Sequence, residues 1–324
     1  MGALKTCIVT GAAGFIGSHL VDRLLALDFR VIGLDNMVLG RKANLKHALS
    51  SPHFLFRELD VNQVKNTLEF LQSEVQGQSV DILWHMAANS DIQAGSKDPD
   101  VDLNLTFLTT YNSVRIAQAL HVPQFAFAST SAIYGELDQV LTEDSGPLFP
   151  ISSYGAMKLA SEGVVSAALE RFLKRVWIFR FPNVVGARAT HGAIYDFIRK
   201  LKQNPKELEV LGDGSQEKPY LHVSELLDAM LLLFQKAKDR LNYYNIAPDG
   251  SATTVKYIAE AVVRAVSPEA KIRYTGGSKG WVGDVPKFTY SISKIKKMGW
   301  KPKLTSNEAV EKAINENTAS NSLE

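Results

Sequence analysis

The sequence predicts an α/β protein with a doubly wound parallel sheet, and two observations carry this prediction. In the first half of the chain, short apolar runs alternate with stretches whose apolar residues recur at helical spacing. The apolar runs are almost uninterrupted, which is typical of parallel strands covered by helices on both faces. Strands are predicted at 4–10, 30–34, 54–59, 80–85, 125–129 and 176–181, and helices at 15–27, 62–76, 100–121, 154–173, 223–236, 255–266 and 307–316.

The second half of the chain has a different character. Gly and Pro become denser near 205–220 and 276–286, and the predicted elements become shorter. We therefore expect a first domain over 1–181, to which a segment near 220–248 returns. Residues 182–324 would mainly form a smaller α/β lobe that binds the substrate.

Composition narrows the classes of function. The 324 residues can enclose a substantial core, and Lys plus Arg (36) nearly balance Asp plus Glu (34) without a dense basic stretch. This balance favours a small-molecule partner over nucleic acid. The single cysteine, Cys7, favours a reducing compartment and argues against a Cys-based metal site. No apolar run reaches the roughly 18 residues of a membrane span. We expect a soluble, cytoplasmic protein that binds no metal, membrane or nucleic acid.

A glycine-rich turn joins the first predicted strand to the first predicted helix. Its glycines, Gly11, Gly14 and Gly17, have the spacing G-x-x-G-x-x-G. Small residues let the backbone approach a pyrophosphate, and a helix amino terminus supplies N–H groups and a positive dipole. Asp35 follows 21 residues after Gly14, where its carboxylate would accept bonds from an adenosine ribose and repel a 2′-phosphate. The pattern favours NAD over NADP, although a tight turn and a turn-closing Asp are the alternatives.

A second motif places chemistry beside that cofactor. Tyr154 and Lys158 lie four residues apart at the start of a predicted helix, so both side chains leave the same face. The preceding strand ends near Thr130, and strand ends on this side of a doubly wound sheet bind ligands. A phenol, an ammonium and a hydroxyl in this arrangement form a proton-transfer group. The alternatives are a packed Tyr with a solvated Lys, and a Thr that bonds only to backbone.

Other strand ends carry residues that such a site needs. Asp60 and Val61 follow the third strand, where an adenine could lie. After His85, the small Ala87 and Ala88 would permit close approach of a cofactor, whereas His85 itself is expected to be a packed strand residue. Asn104 either braces the backbone of the site or is a solvated polar residue.

Together these motifs resemble the extended short-chain dehydrogenase/reductase family, and within it the sugar-nucleotide epimerases of the UDP-glucose (UDP-galactose) 4-epimerase kind. The resemblance implies a Rossmann domain, an NAD cofactor, a UDP-hexose substrate and a homodimer formed through the helices at 100–121 and 154–173. The motifs, which span nearly the whole chain, are TGAAGFIG, HMAA, STSAIYG, PISSYGAMK, RFPNVVG, GDGSQ at 212–216 and the Gly-Asp pair at 283–284.

The resemblance also assigns roles residue by residue. Tyr154, Lys158 and Thr130 would be catalytic. The residues expected at the cofactor, besides Tyr154 and Lys158, are Gly11, Ala13, Gly14, Phe15, Ile16, Asp35, Asn36, Gly40, Asp60, Val61, Met86, Ala87, Ala88, Asn104, Ser129 and Pro182. Those expected at the substrate, besides Thr130 and Tyr154, are Ser90, Ser131, Asn183, His191, Ala193, Ile194, Lys218, Tyr220, Trp281 and Asp284.

The residues after Thr130 discriminate between reactions of the family. The 4,6-dehydratases have an Asp-Glu pair there and the UDP-glucuronate decarboxylases a Glu, whereas this chain has Ser131 and Ala132. The resemblance therefore implies oxidation and re-reduction at C4, an isomerase reaction. A UDP-glucuronate 4-epimerase, an NAD(P)H-dependent reductase of 4-keto sugars and a catalytically silent NAD-sensing protein remain alternatives. Lys218 and Trp281 stand where many relatives have Arg, so the bidentate grip of an Arg on the diphosphate is absent.

The implied mechanism needs an ionised tyrosine. A free tyrosine has a pKa of about 10, too high for a base at neutral pH. We expect Lys158 and the positive nicotinamide to lower the pKa of Tyr154, so that its phenolate takes the proton of the 4-hydroxyl. Phe288 matches a family position that resembles a size gate, and its bulk would disfavour a 2-N-acetyl sugar. Alternatively, Phe288 only fills the core of its lobe.

Overall fold

The structure, a computed structural model, describes residues 4–137, 139–277, 285 and 288–319. The chain divides into two compact units, each built from several segments. Unit 1 comprises Met1–Thr130, Ser153–Arg180 and Met230–Tyr243, and unit 2 comprises Ser131–Ser152, Phe181–Ala229 and Tyr244–Glu324. This division differs from the expected one in two respects. The returning segment is Met230–Tyr243 rather than 220–248, and residues 131–152 group with unit 2.

A seven-stranded sheet in the order β11-β6-β5-β4-β1-β2-β3 confirms the predicted fold class. The registers of β1 with β2 and β4, of β2 with β3 and of β4 with β5 are parallel. Each predicted strand is present within about two residues at either end. The strands are β1 (Lys5–Thr10), β2 (Phe29–Asp35), β3 (Phe54–Glu58), β4 (Ile82–His85), β5 (Gln124–Thr130), β6 (Arg175–Phe181), β7 (Asn183–Val185), β8 (Glu207–Val210), β9 (Glu217–Lys218), β10 (Tyr220–His222), β11 (Leu241–Asn245), β12 (Thr253–Thr254) and β13 (Lys271–Tyr274).

The helices agree with the predicted ones except at two places. The helix predicted over 154–173 ends at Ala167, and a 3₁₀ turn, Ala168–Glu170, follows it. The single helix expected over 100–121 is broken into a short helix, a π-turn over Leu103–Phe107 and a longer helix. The helices are α1 (Phe15–Leu25), α2 (Val64–Val75), α3 (Ile92–Lys97), α4 (Pro99–Asp102), α5 (Leu108–Ala119), α6 (Ser153–Ala167), α7 (Ala193–Gln203), α8 (Val223–Lys236), α9 (Val255–Val266), α10 (Ser293–Lys297) and α11 (Ser306–Ala319).

The core of unit 1 lies on both faces of the large sheet, which explains why its strands are almost uninterruptedly apolar. The returning segment contributes to this core through Phe234 of α8. Its ring centroid lies 5.3 Å from that of Trp84 and 5.1 Å from that of Trp177. The indole N–H of Trp177 donates to the carbonyl of Leu233 at 3.1 Å. Burying one such aromatic side chain stabilises the fold by about 1.5–3 kcal/mol.

Unit 2 has its own core and, among its described residues, three two-stranded sheets. Strands β7 and β10 pair in parallel, as do β8 and β13, whereas β9 and β12 are antiparallel. Helix α7 buries Ile194, Phe197, Ile198 and Leu201, the i, i+3, i+4, i+7 stripe of a helix that covers a core. No helix in the described ranges is both long and apolar enough to span a membrane.

Candidate active site

The order of the large sheet reverses beside β1, and this reversal positions the site. Strands β2 and β3 lie on one side of β1, and β4, β5 and β6 lie on the other. In doubly wound sheets, ligands bind outside the carboxyl ends of the strands at such a switch point. The predicted glycine turn follows β1, and the His85–Ala88 segment begins at the carboxyl end of β4.

The glycine turn has the geometry that a pyrophosphate site requires. Gly11 has φ +69°, and a Cβ on it would lie 2.7 Å from the backbone nitrogen of Ala87. A Cβ on Gly17 would lie 1.9 Å from the carbonyl oxygen of Gly11, so only glycine fits at this position. Helix α1 begins after Gly14 without a side-chain cap, which leaves amino-terminal N–H groups for a ligand.

Asp35 closes β2 beside that turn. Its carboxylate is 7 % exposed and accepts hydrogen bonds from the backbone N–H groups of Ala13 (2.9 Å) and Met37 (2.8 Å). Burial raises its pKa, and the backbone hydrogen bonds oppose that shift. A Cβ on Gly40 would lie 2.6 Å from Asp35 Oδ1, so the backbone approaches the carboxylate closely. Asp35 therefore ties the glycine turn to the end of β2, which orients an acceptor where a ribose would lie.

The three predicted catalytic residues are brought together. Tyr154 lies in the first turn of α6, and its hydroxyl is hydrogen-bonded by Thr130, the last residue of β5. The Lys158 side chain is buried one turn later, and its Nζ donates to the carbonyl of Ala128 at 2.6 Å. The Nζ atom lies 4.8 Å from the ring centroid of Phe127 and 5.8 Å from that of Tyr154.

Burial is the largest influence on the pKa values of Lys158 and Tyr154. Burial lowers the pKa of Lys158 to about 7, against the opposing effect of the Glu162 and Asp102 carboxylates. Burial raises the pKa of Tyr154, Asp102 raises it further, and the hydrogen bond from Thr130 opposes the shift. The expectation that Lys158 would lower the pKa of Tyr154 is therefore wrong for the protein's own groups. The ammonium bonds to Ala128, and desolvation of the phenol outweighs the effect of Thr130.

Comparison with known proteins decides the family. The chain matches the NAD dependent epimerase/dehydratase family over residues 7–247. This chain belongs to that family. The match confirms the resemblance in the sequence and makes NAD the cofactor of this enzyme. The glycine turn and Asp35 fit that cofactor.

Individual relatives align over nearly the whole chain. A crystal structure of a UDP-galactose 4-epimerase is 34% identical, with a TM-score of 0.82 over 96% of this chain and 98% of that one. The Thermotoga maritima UDP-glucose 4-epimerase with UDP-glucose is 27% identical, with a TM-score of 0.83 over 96% and 97%. UDP-glucuronic acid decarboxylase 4 of Arabidopsis thaliana is 29% identical over 92% of this chain and 65% of its own length.

One buried network in this family member was not anticipated from the sequence. Arg180 donates to Glu162 through Nε (3.0 Å, Oε1) and Nη2 (2.7 Å, Oε2), and the Ser129 hydroxyl donates to Oε1 at 2.5 Å. Glu162 follows Tyr154 and Lys158 at i+8 and i+4, so the helical spacing could have revealed it. The Ser129 side chain, expected at the cofactor, thus donates to Glu162 within the protein.

The structure can be compared with the roles expected for His85 and Asn104. His85 is buried, and its ring nitrogens contact the hydroxyls of Thr10 (2.7 Å) and Thr110 (3.0 Å), as suits a packed strand residue. The Asn104 side chain is exposed and donates to the carbonyl of Asp100 at 2.8 Å. The bracing of the backbone after β4 comes from Thr106, whose hydroxyl accepts from the Asn89 N–H at 3.2 Å.

The remaining residues of unit 1 that are expected at the cofactor lie in the loops that follow the strands or in the first turn of α1. Val61 is buried in the core, and Asp60 Oδ1 accepts from the Asn62 N–H at 2.8 Å. Those that are half-buried and so retain accessible surface are Phe15, Ile16, Asn36, Gly40, Asp60, Met86, Ala87, Ala88 and the expected substrate residue Ser90.

The expected substrate residues of unit 2 fall into three groups. Asn183 is exposed, and Ser131, His191, Ala193 and Lys218 are half-buried. Ile194 and Tyr220 are buried, and the core of unit 2 accounts for them without a ligand. Pro182, which was expected at the cofactor, is buried as well. Trp281 and Asp284 lie outside the described residues.

Proposed function

We propose that the protein is an NAD-dependent isomerase that inverts C4 of a UDP-hexose, UDP-glucose or UDP-galactose. The observation that carries the proposal is the contact of Thr130 with the Tyr154 hydroxyl, one helical turn from Lys158, at the carboxyl end of β5 in the sheet whose switch point holds the glycine turn. The crystal structure of a UDP-galactose 4-epimerase at 34% identity supports the choice of reaction.

Tyr154, Thr130 and Lys158 have different parts in this reaction. NAD, when bound, would supply the acceptor and then the donor for the hydride exchanged at C4. With the positive charge of the bound cofactor beside it, Tyr154 would be ionised, would take the proton of the 4-hydroxyl as C4 is oxidised, and would give it back as the 4-keto group is reduced. Thr130 donates to the phenol oxygen and orients the 4-hydroxyl. Lys158 holds a positive charge beneath the ring and would bind the nicotinamide ribose. The sugar must turn over between the two hydride transfers.

The sequence after Thr130 supports epimerisation over elimination or decarboxylation. Ser131–Tyr134 forms a 3₁₀ turn with the sequence SAIY, so its side chains offer no carboxylate. Elimination needs such a group to move a proton at a second carbon. A UDP-glucuronate 4-epimerase and a 4-keto-sugar reductase would use the same Tyr154 and remain the competing candidates.

Product analysis separates these candidates. Purified protein is incubated with UDP-glucose, UDP-galactose, UDP-glucuronate or UDP-N-acetylglucosamine without added reductant, and the products are separated. We expect interconversion of UDP-glucose and UDP-galactose. Turnover only after NAD(P)H is added, with one NAD(P)H consumed per product, would identify a reductase. Turnover of the uronate alone would identify a UDP-glucuronate 4-epimerase. Tyr154→Phe is expected to lose at least about 100-fold in kcat, the scale of general acid–base catalysis.

Phe288 is proposed to limit the size of the substituent at C2. Its half-buried ring packs edge-on against Tyr290, with ring centroids 5.6 Å apart. We expect UDP-galactose to be turned over far better than UDP-N-acetylgalactosamine, and Phe288→Ala to narrow the difference. Equal efficiency of the wild-type protein with both sugars would remove this role.

The assembly proposed is a homodimer through α5 and α6. The groove between these helices is lined by Val114, Arg115, Val164 and Arg171, together with Tyr111, which is 44% exposed. Two copies packing here would cover that ring in a four-helix arrangement. Light scattering should give twice the 35.7 kDa of one chain, and a monomer would contradict the proposal. The near-neutral charge and the single cysteine support a cytoplasmic protein with no nucleic-acid partner.

A further inference from the structure

Asp102 is a buried carboxylate that the proposed chemistry does not use. It ends α4 and has no exposed surface. Its Oδ1 accepts from the Asn89 amide at 2.8 Å and from the Thr106 hydroxyl at 3.5 Å. Within the described part of the chain, its Oδ2 has no hydrogen-bond partner. A buried carboxylate with one unsatisfied oxygen is unfavourable on its own, so its retention needs a reason.

A glycine fixes the position of that unsatisfied oxygen. A Cβ added to Gly95 of α3 would lie 1.7 Å from Asp102 Oδ2 and 2.5 Å from its Cγ. Gly95 is not among the glycines with positive φ, so its backbone conformation is open to any residue. The Asp102 carboxylate therefore occupies the space that a side chain at position 95 would fill. Oδ2 can lie there only because residue 95 is glycine.

The charges around Lys158 show which cation Asp102 faces. Glu162 on α6, Asp102 on α4 and His85 on β4 all interact with Lys158 electrostatically. Glu162 is matched by the two hydrogen bonds from Arg180, whereas Asp102 accepts only from neutral groups. Asp91 adds a like charge beside Asp102, and Tyr154 lies within its field. Lys158 is thus the cation that compensates Asp102 most directly.

We infer that Asp102 is a positioning residue that keeps the proton on the Tyr154–Lys158 couple until a cofactor binds. A fixed negative charge beside both groups makes loss of a proton from either one less favourable. A positive nicotinamide opposes that charge, so proton release from the couple is coupled to occupation of the cofactor site. This inference rests on the proposed role of Tyr154 as the acid–base group. It adds that the negative charge of Asp102 determines when the couple releases its proton.

The test removes the charge and keeps the shape. Asp102→Asn retains an oxygen for the Asn89 amide, and Asp100→Asn removes a charge from an exposed position of the same short helix. The titration of Lys158 is followed by NMR of ¹³C-labelled lysine in NAD-free protein, with Lys158→Met identifying the signal. Asp102→Asn should lower the midpoint by about 1 unit or more. Asp100→Asn should leave the midpoint unchanged.

A second readout uses the NAD-loaded enzyme. The acid limb of kcat/KM against pH should move to lower pH in Asp102→Asn and stay in place in Asp100→Asn. Equal Lys158 midpoints in wild type and Asp102→Asn would overturn the inference. If UDP-hexoses are not turned over but the Lys158 midpoint shifts, the proposed function fails and the charge control stands.

Gly95→Ala keeps the inference testable if Asp102→Asn does not fold. The added methyl group must displace Oδ2 from its present position. The Lys158 midpoint should again fall, because the carboxylate moves away from its fixed place. A folded Gly95→Ala protein with the wild-type midpoint would show that the position of Asp102 is unimportant.

Discussion

The buried Glu162–Arg180 pair gives the sharpest prediction on stability. The two side chains are 7% and 9% exposed, and Arg180 donates two hydrogen bonds to the carboxylate. Glu162→Gln removes the carboxylate that accepts from the buried guanidinium. Removing one partner of such a pair costs about 3–5 kcal/mol. If the chain unfolds as one unit, its size converts this loss into a fall in Tm of about 4–7 °C.

A matched control exists on the surface. Arg240 and Glu170 lie 3.2 Å apart with side chains that are 64% and 79% exposed. Glu170→Gln removes the same kind of charge, but solvent screens the pair, so a loss of about 0–1 kcal/mol is expected. Calorimetry of both variants with NAD removed compares the two sites under one condition.

The double variant Glu162→Met/Arg180→Met tests the physical reason. Replacing a whole buried pair by apolar side chains is often neutral, because no charge is left unpaired. The double variant should therefore be more stable than Glu162→Gln alone. The reasoning is refuted if Glu162→Gln costs no more than Glu170→Gln, or if the double variant loses as much as the sum of two single losses.

Three further predictions concern single residues. Because the pKa of Lys158 is about 7 in the folded protein and near 10.4 in an unfolded chain, the unfolded state binds more protons between these values. The stability of NAD-free wild type relative to Lys158→Met should therefore rise from about pH 7 to about pH 10 and be flat below pH 7; a flat difference throughout would contradict the shift. In Gly17→Ala, the added methyl group would lie 1.9 Å from the Gly11 carbonyl oxygen and would distort the glycine turn. This variant should lose NAD binding, measured by calorimetry, and an unchanged affinity would show that NAD binding does not need the tight turn. Burial raises the pKa of the Cys7 thiol, so the native protein should resist a thiol reagent at pH 8 and react only after unfolding.

The sequence was sufficient for the parts of the site that depend on local spacing. Tyr154 and Lys158 lie one turn apart on a helix, and Thr130 ends the strand before it, so strand-end logic places the three side chains together. The protonation of the phenol could not be predicted in the same way. It depends on desolvation and on the carboxylate of Asp102, which only the packed structure brings close.

Long-range partners explain the other gaps. Arg180 stood in a recognised motif, but its pairing with Glu162 requires β6 to pack beside α6. The π-turn at Leu103–Phe107 was missed because the apolar residues keep their helical spacing across it. The sequence therefore predicted one continuous helix over 100–121. Both Asn104, which is exposed, and Thr106, which braces the backbone after β4, lie within that π-turn. A pattern of residue types does not record such a change of hydrogen-bonding register.

The segmented make-up of unit 1 has a consequence for synthesis on the ribosome. Strand β6 ends at Phe181, but its neighbour β11 ends at Asn245, and Phe234 of the returning segment covers Trp84 and Trp177. Until that stretch emerges, the nascent chain carries an open strand edge and uncovered indole rings. At about 5–20 residues per second, the roughly 60 residues in between take about 3–12 s to translate. Nascent-chain chaperones therefore have a defined interval in which this half-built sheet needs protection.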